Sequence, residues 1–188
     1  GDLCYDGSCK PSDVDPELAR AVFAVAAPAA SDRCFVTVAG VVPRWLPQTS
    51  QAAEHWGCIH AYDELVADGR IIGDCQNVVD AHTKALKYHR KVRGKWEASA
   101  VRKLRKGKYA GVVREGLRRA ERGRCDIEHL KIKAHRAECE AADDTDLARL
   151  RSNDAADKSA KAAVLAHPTL TADQWCTLMN TAEDNAAV

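Results

Sequence analysis

The 188-residue sequence predicts an α/β protein. Two observations carry that reading. Three strand-like runs stand in succession before residue 43, and from residue 50 onward helical patterns alternate with short apolar runs. A third observation concerns chemistry: two of the apolar runs, Leu3–Tyr5 and Arg70–Gly73, each deliver an aspartate at their end, Asp6 and Asp74.

In chain order, Leu3–Tyr5 reads as the end of a buried strand. Asp6-Gly7-Ser8 follows as a turn signal, or as a carboxylate held at the mouth of a sheet. Residues 9–16 form a polar loop with two prolines. Ala19–Ala27 is a second strand, with helix as a competitor because of its alanines, and Cys34–Val42 is a third, rich in β-branched residues. The break at 28–32 reads as a hairpin connection. Thr49 or Ser50 caps a first helix running to about Val66. Its apolar stripe holds Cys58, Ala61 and Leu65, and Glu54 falls on the same stripe. Arg70–Gly73 is a fourth strand, and Gln76 to about Arg90 a second helix. Lys91–Lys108 reads as loop with helical stretches and Ala110–Arg122 as a helix striped by Val113, Leu117 and Ala120. Ile127–Ala134 is a fifth strand, Arg136–Ser152 an acidic loop, and Asn153–Ala166 the last core helix, with Asp157, Ala160 and Val164 on one face. A capping-box pattern at Thr171–Gln174 announces a short helix in a tail spanning 167–188.

Composition narrows the class. Apolar residues make up 46% and charged residues 29%, ordinary for a soluble globular domain. The longest apolar run, Ala21–Ala30, is too short to cross a bilayer, and no signal peptide is visible. The eight cysteines include no C-x-x-C pair, which points to reduced thiols in a cytoplasmic or nuclear, non-secreted protein rather than to a disulfide framework or a structural zinc site. Charge is uneven: sixteen Lys and Arg against three Glu lie between Lys84 and Arg124, although the whole chain carries only +1. Such a segment is the footprint of a polyanion, or else a solvated charged face. Trp96 and Tyr109, set among these charges, suit either stacking along a nucleic-acid backbone or anchoring of the loop.

Taken together the motifs resemble the ribonuclease H family, type 1. The first strand matches in Tyr5-Asp6-Gly7-Ser8. The first helix matches from Gln51-Ala52-Ala53-Glu54 on to Ala61 and Leu65. The match continues in Ile72-Gly73-Asp74-Cys75-Gln76-Asn77-Val78-Val79, in Ile132-Lys133-Ala134-His135, and in Asn153-Asp154-Ala155-Ala156-Asp157-Lys158-Ser159-Ala160-Lys161. These five motifs keep the family's order over residues 2–166. The resemblance implies a five-stranded mixed sheet, three antiparallel strands then two parallel, flanked by helices. It implies a catalytic domain over 1–166 with a basic insert at about 91–124. It also makes Asp6, Glu54, Asp74 and Asp157 the metal-binding carboxylates and His135 a loop histidine that assists proton transfer or product release. The sequence departs from the family in its long basic insert, its acidic loop after His135 and its alanine-rich second strand.

The implied activity is endonucleolytic hydrolysis of the RNA strand of RNA–DNA hybrids. Its cofactor is a pair of Mg²⁺ ions, with Mn²⁺ able to substitute. The chemistry suits the residues, because a hard cation prefers carboxylate oxygens and two ions together serve nucleophile and leaving group. Lys91, Arg93, Lys95, Trp96, Arg102, Lys103, Arg105 and Lys106 are the expected nucleic-acid-binding residues. The expected partners are the hybrid and a reverse transcriptase domain in the same retroelement polyprotein, with no membrane. Two alternatives stand beside this reading: a non-catalytic nucleic-acid-binding module of the same fold, and another nuclease of that fold of the integrase or transposase kind.

Overall fold

A computed structural model describes residues 1–11, 19–29, 34–91, 107–123 and 126–166, with 173, 174, 176 and 177 of the tail. β1 (Asp2–Lys10) is the central strand. β2 (Arg20–Pro28) pairs with it antiparallel, and β3 (Cys34–Val41) pairs antiparallel with β2. α1 (Ser50–Glu64) leads to β4 (Gly69–Gly73), parallel to β1. α2 (Gln76–Lys91) and α3 (Ala110–Gly123) precede β5 (Ile127–Lys131), parallel to β4. α4 (Asp144–Ala166) closes the described fold. The sheet order is β3-β2-β1-β4-β5, and its mixed character, three antiparallel strands and then two parallel, is the expected one.

Alternation along β1 builds two layers. Leu3 and Tyr5 face α1 and share a core with Phe23, Val25, Ile59 and Ile71. Cys4 faces the other way, with Ile72, Ile132 and Leu150. The alanines of β2 explain themselves here: Ala24 and Ala26 lie with Val22 under Ala156, Ala160 and Val164 of α4. Small side chains on both surfaces let the helix lie close to the strand. β-pairing on both sides of β2 decides strand over helix, whatever alanine prefers in isolation.

Gly7 sets the distance between β1 and α1. A Cβ at this position would overlap the backbone of Ala53 and Glu54 and the Cβ of Ala53. Only glycine lets the helix rest directly on the strand there. Thr49 fixes where that helix starts, accepting a hydrogen bond from the Ala52 amide at 3.2 Å.

Several expected boundaries are corrected. β1 does not end at Asp6: pairing with β2 continues through Asp6↔Ala24, Gly7↔Phe23 and on to Lys10↔Arg20, so the ladder outweighs the Asp-Gly-Ser turn signal. The stretch read as an acidic loop, 136–152, contains a 3₁₀ turn at Glu138–Glu140 and the first two turns of α4. Its acids cap the helix or pair with Arg136 and Arg151. Asp143 accepts from the Asp146 amide at 2.8 Å, and Asp144 and Asp146 sit at the positive end of the helix dipole. β5 stops at Lys131 rather than Ala134, although Ile132 still donates to the Gly73 carbonyl at 3.0 Å. The seven described cysteines are free thiols. Among the described residues no helix is long and apolar enough to cross a membrane. In the tail, Asp173, Gln174, Cys176 and Thr177 are helical; Trp175 lies outside the described residues.

Gly7→Ala should cost about 3 kcal/mol or more, because backbone rather than a flexible side-chain tip occupies the space. The urea midpoint measures this, and a variant as stable as wild type would refute the close approach.

Candidate active site

Parallel strands part at the centre of the sheet. β1 and β4 pair through Cys4↔Ile72, and the chain leaves β1 toward β2 on one side while β4 lies on the other. Ligand sites of open α/β sheets form in such a crevice, beyond the carboxyl ends of the strands. Asp6 and Asp74 each stand two residues past that last pair, so they reach the same level of the sheet. α1 brings Glu54 from one face, held in by the Gly7 approach, and α4 brings Asp157 from the other.

Carboxylate oxygens of Asp6, Glu54 and Asp74 lie within 4.8 Å of one another. Asp157 stands beside them, lining the same cleft as Asp74 and close enough to Asp6 for each to shift the other's ionisation. The four expected carboxylates are thus brought together. Asp6 and Glu54 are each only 6% exposed, an expensive place for two acids. Burial pushes Asp6 up to about 7, with Asp157 and Asp74 adding to the rise and Glu54 opposing it. Burial, then Asp6 and Asp74, push Glu54 well above the usual carboxylate range. Asp74 is also raised, first by burial and then by Asp157, while His135 and Lys131 pull it down. Asp157 differs. Its partial burial works upward, but Lys161, donating to Oδ2 at 2.7 Å, and Asp6 hold it below the ordinary value.

His135 occupies the mouth of this site. It is exposed, adopts a left-handed backbone with φ 52°, and borders a cleft of about 220 Å³ together with Asp74, Lys133, Asn153 and Asp157. It lies close enough to lower both Asp74 and Asp157.

Do these residues fit divalent cations? Among the described residues Glu54 Oε2 is buried without a hydrogen-bond partner, and the cluster it belongs to offers three carboxylates. Hard oxygen donors with an unsatisfied lone pair are what Mg²⁺ or Mn²⁺ takes. The fit is good.

No protein-family model matches the sequence, and no curated protein matches it either. Solved structures do match. The PFV RNase H domain aligns over 86% of this chain and 94% of its own, at 15% identity and TM-score 0.57. The Prototype Foamy Virus Protease-Reverse Transcriptase aligns over 85% of this chain at 16% identity and TM-score 0.55, and this chain spans only 20% of its length. LC9-RNase H1, a type 1 RNase H with the type 2 active-site motif, aligns over 86% of this chain and 72% of its own, at 13% identity and TM-score 0.50. The chain has the ribonuclease H fold. At these identities the likeness is one of architecture, and the type 1 resemblance read from the motifs agrees with it.

Within the ribonuclease H fold, the expected nucleic-acid-binding residues divide. Lys91 ends α2, and Arg93, Lys95, Trp96, Arg102, Lys103, Arg105 and Lys106 lie outside the described residues. Tyr109, which could have stacked on a base, is an anchor instead. It is buried, its hydroxyl is 3.2 Å from Thr49 Oγ1, and its ring packs 4.6 Å from that of His55. Sequence reasoning missed a buried polar group behind the carboxylates, formed by His55, His82, Tyr62 and His129. One signal was available: His129 shares the inward face of β5 with Ile127 by the period of two.

An acid raised in the folded state contributes its full stability only below its unfolded value, and that contribution is lost as pH climbs to the folded value. For Asp6 the window runs from 3.8 to about 7. In chelator, Asp6→Asn should therefore gain Tm relative to wild type as pH rises across that window. Thermal melts at both ends would show it; a constant difference in Tm would contradict the raised Asp6.

Proposed function

We propose that this chain is a metal-dependent endoribonuclease that hydrolyses the RNA strand of RNA–DNA hybrids. The observation that carries the reading is the convergence of Asp6, Glu54 and Asp74, with Asp157 alongside, at the crevice of a ribonuclease H fold. Asp6, Glu54, Asp74 and Asp157 would hold two Mg²⁺ ions, with Mn²⁺ able to substitute. Bound there, such a pair activates water and stabilises the leaving oxygen of a phosphodiester. The chain's own groups do the rest. Asp6 and Glu54, whose protonated forms burial favours, would hold the cations as carboxylates. Asp157 would help hold them with the carboxylate that now accepts from Lys161. His135, at the cleft mouth, accepts or gives the proton that hydrolysis moves, or helps the product leave.

Phosphates of the hybrid would be held by Lys91, Arg93, Lys95, Arg102, Lys103, Arg105 and Lys106, with Trp96 stacking. Hybrid preference would come from reading 2′-hydroxyls on one strand and their lack on the other. The fold shared with the foamy virus protease-reverse transcriptase supports a retroelement setting, with a reverse transcriptase domain in the same polyprotein as partner. The non-catalytic reading is weaker, since a binding module has no physical need to bury two acids.

With Mg²⁺ or Mn²⁺, wild-type protein should cleave the RNA of a labelled hybrid in preference to duplex DNA. Asp6→Asn should lose several kcal/mol of transition-state stabilisation, at least about a thousandfold in rate. Full activity in that variant would sink the assignment, and preferential cleavage of duplex DNA would favour the integrase or transposase kind. Neutralising Arg102, Lys103, Arg105 and Lys106 together should lower the slope of log affinity against log salt by about 3. A titration of hybrid binding over salt measures it, and an unchanged slope removes those residues from the interface.

A further inference from the structure

Behind the carboxylates, three elements bring together a different set of donors. Cys58 lies on α1, His82 on α2 and His129 on β5, all three buried. One ligand atom from each falls within 4.8 Å of the other two. Ligand atoms around a tetrahedral zinc ion lie roughly 3.5 Å apart, so an ion would draw these three in by about an ångström. Two further groups frame them. The Tyr62 hydroxyl is 2.6 Å from His129 Nε2 and 3.2 Å from His82 Nδ1, close enough to supply an oxygen donor. His55 Nδ1 lies 3.3 Å from His82 Nε2, and can accept the N–H that fixes the other ring nitrogen for a ligand.

The geometry points to a second metal site, distinct from the carboxylate centre: Cys58, His82 and His129 bind one zinc-class transition ion, with Tyr62 beside it. The donor set decides the class. One sulfur and two imidazoles suit Zn²⁺ or Co²⁺ and not Mg²⁺, whereas the carboxylate centre offers oxygen alone. Binding converts the Cys58 thiol to a thiolate, which forms the sulfur–metal bond and releases its proton to solvent. Because the three donors are sealed inside the core, the ion enters during folding, and its role is structural. It ties α1, α2 and β5 together. Glu54 stands one turn before Cys58 on α1, so the same ion steadies the helix that delivers Glu54 to Asp6.

Cobalt tests this, because its spectrum reports a thiolate ligand. Full-chain protein made in cobalt-supplemented medium and washed with chelator should keep about one ion per chain, with an intense thiolate-to-cobalt charge-transfer absorption. Asp6→Asn should keep that absorption, which separates this site from the carboxylate centre. Cys58→Ser, shown to be folded by circular dichroism, should lose it; if that variant does not fold, His129→Asn should at least halve the bound cobalt. A folded wild-type protein without the absorption, or Cys58→Ser with it intact, overturns the proposal.

Discussion

The contact of α1 with β1 at Gly7 governs this molecule. The helix backbone at Ala53 and Glu54 occupies the space a Cβ would need, so the helix lies as near the strand as the chain allows. That approach sets Glu54 against Asp6 and carries Cys58, one turn on, into the core with Ile59 and Tyr62. A larger residue at position 7 would lift the helix and separate the two acids. The carboxylate group is therefore a property of packing before it is one of charge.

Charge then works against packing. Two buried acids with a third at their side repel when ionised, and burial favours the protonated forms of Asp6 and Glu54. Basic groups balance the rim alone: Lys161 on Asp157, and His135 with Lys131 acting on Asp74. Among the described residues the interior pair forms no ion pair, and Glu54 Oε2 has no hydrogen-bond partner. In the proposed reading divalent ions take the place that no side chain fills, so the strain of the metal-free site and its affinity for cations have one origin.

The polar cluster on the α1 side of the sheet follows another logic. His55, His82, Tyr62 and His129 are linked by hydrogen bonds through His55 Nδ1, both His82 nitrogens, the Tyr62 hydroxyl and His129 Nε2, which lets the fold bury them as a neutral network. Burial holds His55 down to about 4 and His82 well below the usual histidine range, and both stay uncharged. Carboxylate oxygens gather where β1 runs on past its pairing with β4, while nitrogen and sulfur gather among α1, α2 and β5, and the two groups share only α1.

The order of elements was legible in the sequence, because it rests on local signals such as the period of two along β4 and the cap at Thr49; acids at the edges of apolar stripes stood out in the same way, while the sheet's mixed character followed from the resemblance carried by the five motifs. Boundaries were legible only in part. Asp143, Asp144 and Asp146 look like loop until a helix is seen to start on them, since the same acids suit both a solvated loop and a helix N-terminus. Asp6 looks like a strand end until β2 is found paired beyond it. Proximity between distant residues was decided by the tertiary structure alone. That Cys58, His82 and His129 meet, or that Gly7 admits the backbone of Glu54, depends on which faces the helices turn to the sheet, and a one-dimensional pattern does not record distances between faces.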